Sequence, residues 1–166
     1  PVVVGADGTV YVAVNPLGPT TELVAFNPDG SVRWDFVEPD SLGVAVGPAI
    51  GPDGNVYVTF HDIDQSFGLT SFTPEGELRW NNSGSPNLYE HGGLGAELVF
   101  GASSAGGPID QVVLTVDRDS DPHLYAFDME SGDQNWAVPR GTTQFPFLQP
   151  QIQPEAGPDG KVYMTE

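Results

Sequence analysis

Three tryptophans recur at one place in three copies of a single motif, and that periodicity restricts the chain to folds assembled from equivalent units. The copies read Ala25-Phe-Asn-Pro-Asp-Gly-Ser-Val-Arg-Trp34, Ser71-Phe-Thr-Pro-Glu-Gly-Glu-Leu-Arg-Trp80 and Ala126-Phe-Asp-Met-Glu-Ser-Gly-Asp-Gln-Asn-Trp136. A short β run precedes each, and the first two runs open on a Gly-x-Asp-Gly turn, at Gly5 and at Gly51. The third run, 111–116, lacks that turn, and a fourth copy opens at Gly157. Gly5 and Gly51, Tyr11 and Tyr57, Phe26 and Phe72, and Trp34 and Trp80 stand 46 residues apart in each case. Trp80 and Trp136 are 56 apart, because 81–111 carries an insertion rich in Gly, Ser and Pro. A period of about 40 to 50 residues made of short strands predicts propeller blades and not a helical solenoid.

Each unit reads as four strands. In the second copy they are expected near Val44–Ile50, Val56–Phe60, Leu69–Phe72 and Leu78–Trp80, rich in Val, Phe, Tyr and Thr and bounded by Gly, Pro, Asp or Asn. Pro28-Asp29-Gly30 and Pro52-Asp53-Gly54 place a fixed φ first and a positive φ last, which closes a tight hairpin. No stretch keeps apolar residues at helical spacing over several turns, so almost no helix is expected.

The third copy, Ala126-x-Asp128-x-x-Ser131-Gly132-x-x-x-Trp136, resembles the tryptophan-docking motif (Ala-x-Asp-x-x-Thr-Gly-Lys-x-x-Trp) of pyrroloquinoline-quinone-type, or PQQ-like, β-propellers. Ser131 stands for the threonine and Asp133 for the lysine. The first copy keeps Ala25, Gly30 and Trp34, with Asn27 for Asp; the second keeps Gly76 and Trp80. The resemblance spans nearly the whole chain. It implies an all-β propeller in which Trp34, Trp80 and Trp136, helped by Asp128 and the turn glycines Gly30, Gly76 and Gly132, pack between neighbouring blades. An aromatic with a polar N–H suits such a seam when the N–H finds an acceptor. For function it implies less, since the family includes quinoprotein dehydrogenases, assembly scaffolds and sensors.

The blades are expected at about 1–37, 44–82 and 96–139, with a partial fourth at 147–166 whose strands lie near Leu148–Gln153 and Val162–Thr165. About three and a half blades cannot close a ring in this frame, and closure is what protects blade faces and edges. The chain is therefore expected to belong to a longer protein, or to be completed by other copies through its unclosed blade edges.

Charge is the second strong feature. Twenty-three acidic residues face five basic ones, a formal net charge of −18. Nucleic acid is excluded as a partner, because holding its phosphates needs clustered Lys and Arg. An anionic membrane surface is disfavoured for the same reason, and no apolar run is long enough to span a bilayer. A high-salt habitat, divalent-cation binding and the solubility of a secreted or periplasmic protein each account for the excess acid. The absence of cysteine removes disulfides, thiolate ligands and thiol nucleophiles.

Among candidate chemical groups, Asp117-Arg118-Asp119-Ser120-Asp121 is the sharpest. Carboxylates of Asp117, Asp119 and Asp121, alternating in a loop, can converge on a hard cation such as Ca²⁺ or stand as a solvated acidic turn. The run continues as Pro122-His123-Leu124, without the glycine and the later glutamate of an EF-hand. His61 and His123 occupy corresponding loops of successive units, and His91 lies in the long insertion; none has a supporting ligand pattern. Ser103-Ser104 has no recognisable base, and the glycine-rich stretches at 92–95 and 106–107 do not lead from a strand into a helix. The uncharged segment 141–150 reads as a strand entering the next unit or as an apolar patch.

The expectation is an extracytoplasmic, non-catalytic propeller platform for a protein or ligand, with Ca²⁺ as its candidate cofactor. Part of a PQQ-dependent dehydrogenase is the alternative that the resemblance implies. Against it stand the missing adjacent cysteines and the few cations (Arg118, Arg140 and Lys161) left to hold the cofactor's carboxylates. A self-assembling structural subunit is the third reading.

Overall fold

The computed structural model describes residues 2–14, 20–39, 41–62, 67–82, 94–104, 106–116, 123–139 and 154–164. Every regular element among them is a β-strand. The chain divides into two compact units, Pro1–Tyr89 and Glu90–Glu166.

The first unit holds two four-stranded antiparallel sheets, each a simple meander. One consists of β1 (Val2–Val4), β2 (Val10–Val14), β3 (Thr20–Phe26) and β4 (Val32–Pro39). The other consists of β5 (Ser41–Ile50), β6 (Val56–Asp62), β7 (Phe67–Phe72) and β8 (Leu78–Asn81). The strands expected in the second copy are all present, and β5, β6 and β7 run longer than the sequence pattern indicated.

Period-2 alternation assigns the faces of the first sheet. Cross-strand register lines up Val3, Tyr11, Ala25 and Trp34 on one face, with Ala13, Leu23 and Phe36 in the next row. We call this face the back. On the opposite face, the front, Val4, Val10, Phe26 and Val32 form one row. Val2, Val12, Val24 and Asp35 form a second, and Val14, Glu22 and Val37 a third.

The back of the first sheet packs on the front of the second. Tyr11, Leu23 and Ala25 share one core with Val56, Val58, Phe60 and Phe72, edged by Trp34, Phe36 and Ile50. Aromatic rings bridge its edge and interior: Phe36 lies 4.8 Å from Phe72 and 5.9 Å from Phe60 between centroids. A buried polar link ties the two sheets, Thr21 Oγ1 donating to Ser41 Oγ at 2.9 Å and Ser41 Oγ to the His61 carbonyl at 3.0 Å. Residues 56–60 and 69–72 are buried without interruption, so the two central strands of this sheet are covered on both faces.

The second unit repeats the plan. β9 (Leu94–Ala102), β10 (Ile109–Val116), β11 (His123–Asp128) and β12 (Gln134–Pro139) form a third antiparallel meander. β13 (Pro154–Ala156) pairs with β14 (Val162–Met164). The strand expected near Leu148–Gln153 falls outside the described residues, whereas 154–156, which the sequence pattern does not mark, is a strand. Ala126 pairs with Trp136 as Ala25 does with Trp34, which identifies the back of this sheet. That face, through Val113, Leu124 and Ala126, packs on Val162. Val162 succeeds its turn as Val56 succeeds Gly51-Pro-Asp-Gly54, so it belongs to a front. Back-on-front stacking therefore occurs once in each unit.

Candidate functional site

Two side-chain clasps concentrate the polar chemistry of the first unit, and both are built from the repeat. The first closes the seam between its sheets. Trp34, on the edge strand β4, donates its indole N–H to the Pro74 carbonyl at 2.9 Å. Its ring stacks on Phe72 at 6.0 Å and meets Tyr11 at 5.8 Å. The turn beneath it ends at Gly76, with φ +91°, where a Cβ would fall 2.6 Å from Trp34 Cγ. Glycine is required there twice over, by the backbone conformation and by the ring that occupies the space of a side chain. Arg33 extends the seam, its guanidinium lying 3.9 Å from Glu75.

The second clasp lies within each sheet. The Gly-x-Asp-Gly turn folds its carboxylate back onto the following amide: Asp7 Oδ1 accepts from Thr9 N–H at 2.9 Å, and Asp53 Oδ1 from Asn55 N–H at 3.1 Å. The other oxygen faces the arginine that precedes the tryptophan. Arg33 reaches Asp7 at 2.9 Å and Thr9 Oγ1 at 2.7 Å. Arg79 lies 3.6 Å from Asp53 and donates to Ser71 Oγ at 3.1 Å, while the Tyr57 hydroxyl donates to Asp53 at 2.7 Å. Thr9's backbone and hydroxyl donors, with Arg33 behind them, hold the Asp7 carboxyl down at about 2. Burial pushes the Tyr57 phenol up, and the hydrogen bond and charge of Asp53 push it further. Cation, carboxylate and phenol thus neutralise and orient one another, an arrangement suited to fixing strand geometry.

In the third copy this clasp changes as a set. The Gly-x-Asp-Gly turn and the arginine are both gone, and Asn135 Nδ2 donates to Gln111 Oε1 at 3.4 Å in their place. The turn itself is capped from the opposite strand, Asp110 Oδ1 accepting from Ser103 N–H at 2.7 Å and Oδ2 from the Ser103 hydroxyl at 2.5 Å. The fourth copy restores the charge pair with Lys161 and Asp159 at 3.0 Å and adds a Tyr163–Asp159 hydrogen bond at 2.9 Å. Those two partners, Lys161 first, hold Asp159 at about 2. The sequence shows Arg33 and Arg79 at one repeat position; the joint loss of Asp and Arg in the third copy was the available signal that they are partners.

Asp128 caps its own turn, its Oδ1 accepting from Glu130 and Ser131 N–H groups at 2.9 Å each. Those donors, Ser131 first, lower its carboxyl below the usual range. Gly132 takes φ +78° in that turn and is buried. Trp80 lies 5.8 Å from Tyr57 within its own sheet. Trp136 is 37 % exposed, which sets it apart from the clasped Trp34.

The candidate metal ligands Asp117, Asp119 and Asp121 lie outside the described residues, as do His91, Arg118, Arg140 and the segment 141–150. His61 lies on β6 opposite Phe67, and His123 opens β11 opposite Val116. Among the described residues no group of three or more His, Asp or Glu side chains comes together, and no helix is long and apolar enough to cross a membrane.

No protein-family model matches the chain, and neither does any curated protein. Among solved structures it is similar to a crystal structure of a protein of unknown function from Bacteroides caccae. The two share 12 % identity at a TM-score of 0.48, over 98 % of this chain and 68 % of the other.

Proposed function

We propose that the sheets are successive blades of a PQQ-like β-propeller acting as a non-catalytic, extracytoplasmic platform for a protein or ligand. The Trp34 clasp carries this reading: an indole from one repeat fastened to the turn of the next is the contact that the tryptophan-docking resemblance implies. Back-on-front stacking in both units supports it. So does the role of the repeat's charged groups, which are engaged in turns and in-sheet clasps. A blade so fixed leaves its connecting loops as the variable part, and loops on a rigid scaffold are where recognition residues gather.

The test is dye-linked alcohol oxidation after incubation of the chain with PQQ and Ca²⁺. No turnover is expected, and turnover above the cofactor-only blank overturns the platform reading in favour of a dehydrogenase. Ca²⁺ enters the proposal through the spacing of Asp117, Asp119 and Asp121 alone. Calorimetric titration is expected to show a binding heat that disappears in Asp119→Ala, and equal heats remove the ion from the reading.

A further inference from the structure

Four turns of the chain place aspartate directly before glycine: Asp7-Gly8, Asp29-Gly30, Asp53-Gly54 and Asp159-Gly160. In such a dipeptide the main-chain nitrogen can attack the preceding side-chain carboxyl with little hindrance, because glycine has no Cβ in the way. All four glycines take a positive φ, between +77° and +85°. All four also donate their N–H to the carbonyl three residues back, at 2.9–3.0 Å. The backbone is therefore the same at each turn, and only the surroundings differ.

The first difference is space. A Cβ on Gly8 would meet Pro28 at 3.0 Å, and one on Gly160 would meet Ala102 at 3.0 Å. The Gly160 carbonyl also accepts from the Ala102 N–H at 2.8 Å. A Cβ on Gly30 or Gly54 would meet nothing within 4 Å. The second difference is how the carboxylate is anchored. Asp7, Asp53 and Asp159 are held through both oxygens, Oδ1 by the amide two residues on and Oδ2 by side chains. Those side chains are Arg33 and Thr9 for Asp7, Tyr57 and Asn55 for Asp53, and Lys161 and Tyr163 for Asp159. Asp29 is held through one oxygen. The Ser31 N–H and hydroxyl both bond to its Oδ1, at 3.0 and 2.6 Å, and Oδ2 has no partner among the described residues. The Ser31 hydroxyl and then its amide lower the Asp29 carboxyl, as their partners lower Asp7 and Asp159, so ionisation does not single it out. Of the four turns, Asp29-Gly30 alone is both open and singly held.

We propose that Asp29-Gly30 is a modification site, the turn at which aspartate of the folded chain isomerises to isoaspartate. The Gly30 nitrogen attacks Cγ of the neutral Asp29 carboxyl. Its hydroxyl leaves with the amide proton as water, and a succinimide ring closes. Water then adds at the ring's main-chain carbonyl and breaks that carbon's bond to nitrogen. The chain now runs through the Asp29 Cβ, and the former main-chain carbonyl is a free carboxylate. Addition at the other ring carbonyl restores aspartate, and water is the only co-reactant. To reach the Gly30 nitrogen, the Asp29 carboxyl gives up its bonds to Ser31 alone. The other three must also leave the anchor on Oδ2, and each charge-assisted bond broken slows the step at least about tenfold. The product lengthens the main chain of the β3–β4 hairpin, whose second strand carries Trp34. It also sets an isoaspartyl carboxylate on an exposed turn, the group that an isoaspartyl carboxyl methyltransferase accepts with S-adenosylmethionine. This inference is independent of the platform reading.

The experiment ages the full chain, folded in molar NaCl at near-neutral pH, beside a sample unfolded in guanidinium chloride. Peptide mapping with electron-transfer fragmentation distinguishes isoaspartate from aspartate at each of the four sites. Isoaspartyl methyltransferase with labelled S-adenosylmethionine counts the total. In the folded chain isoaspartate is expected at Asp29 at least about tenfold faster than at Asp7, Asp53 or Asp159. In denaturant the four rates should come level, because the dipeptide is the same and the anchors are gone. Ser31→Ala leaves only the amide to hold Asp29, so it should raise the rate there and leave the other three unchanged. Equal rates in the folded chain, or a faster site among the other three, overturn the proposal. So does a lead at Asp29 that persists undiminished in denaturant, since neighbouring sequence and not the fold would then set the order. A Ser31→Ala rate equal to that of the parent overturns it as well, by showing that the anchors do not control the step.

Discussion

The first and second sheets are written with nearly the same residues at the same positions, yet one is covered on a single face and the other on both. Phe26 and Phe72 end the same strand, precede the same Pro-acid-Gly turn and pair across to the same row; the second is fully buried and the first is not. Burial here belongs to the neighbour and not to the residue. The third strand also records a small adaptation, since Val24 in the half-covered sheet becomes fully buried Thr70 in the covered one.

That contrast can be broken most forcefully at the tryptophans. Trp34→Ala removes a ring wedged between two sheets and orphans the Pro74 carbonyl, and should cost about 3–5 kcal/mol in denaturant unfolding. Trp136→Ala, at a 37 % exposed position, should cost about 1 kcal/mol or less. Equal losses would end the distinction between the clasped Trp34 and the exposed Trp136.

The paired glycines sharpen it next. Gly30→Ala and Gly76→Ala share the strain of a positive φ, about 1–2 kcal/mol. Only the second also drives a methyl into the Trp34 ring, adding roughly 1–3 kcal/mol of overpacking. A Gly76→Ala variant no worse than Gly30→Ala would mean that the ring yields without cost.

Salt acts on the whole molecule. With a net charge of −18, self-repulsion is relieved by screening, and the melting temperature should rise from low to molar NaCl. A flat response would detach the acidic composition from a high-salt habitat.

The smallest expected effect separates one in-sheet clasp from the bulk acid. The Asp7 carboxyl sits at about 2 against an ordinary 3.8. A lowered folded value contributes stability above pH about 4 that is lost as pH falls toward 2. The destabilisation caused by Asp7→Asn, measured by urea unfolding, should therefore shrink across that window. A difference independent of pH would show that charge plays no part in the Asp7–Arg33 contact.

Much of this was legible beforehand because the repeat states it several times. Strands β6 to β8 and the positive φ of Gly30 and Gly54 arise from local residue chemistry that needs no distant contact, whereas Asp128, which the resemblance implied for the seam, caps its own turn. Strand β13 was not legible: Pro154-Glu155-Ala156 has no β-branched or aromatic residue, and its pairing with Val162–Met164 is what makes it extended. The Arg–Asp clasps left only one trace, the joint loss of both residues in the third copy, because Asp7 and Arg33 stand 26 residues apart and meet only when β4 folds back beside the turn.

The sequence by itself determined the strand menu, the hairpin turns, the face on which each side chain emerges and the acidity of the surface. These are set by φ/ψ preference, the two-residue period and composition. Tertiary structure alone decided which of two equivalent faces is covered, where Trp34 is clasped and that Gly76 carries its ring. A repeat writes the same surface more than once, and only the placement of the adjacent sheet distinguishes the copies.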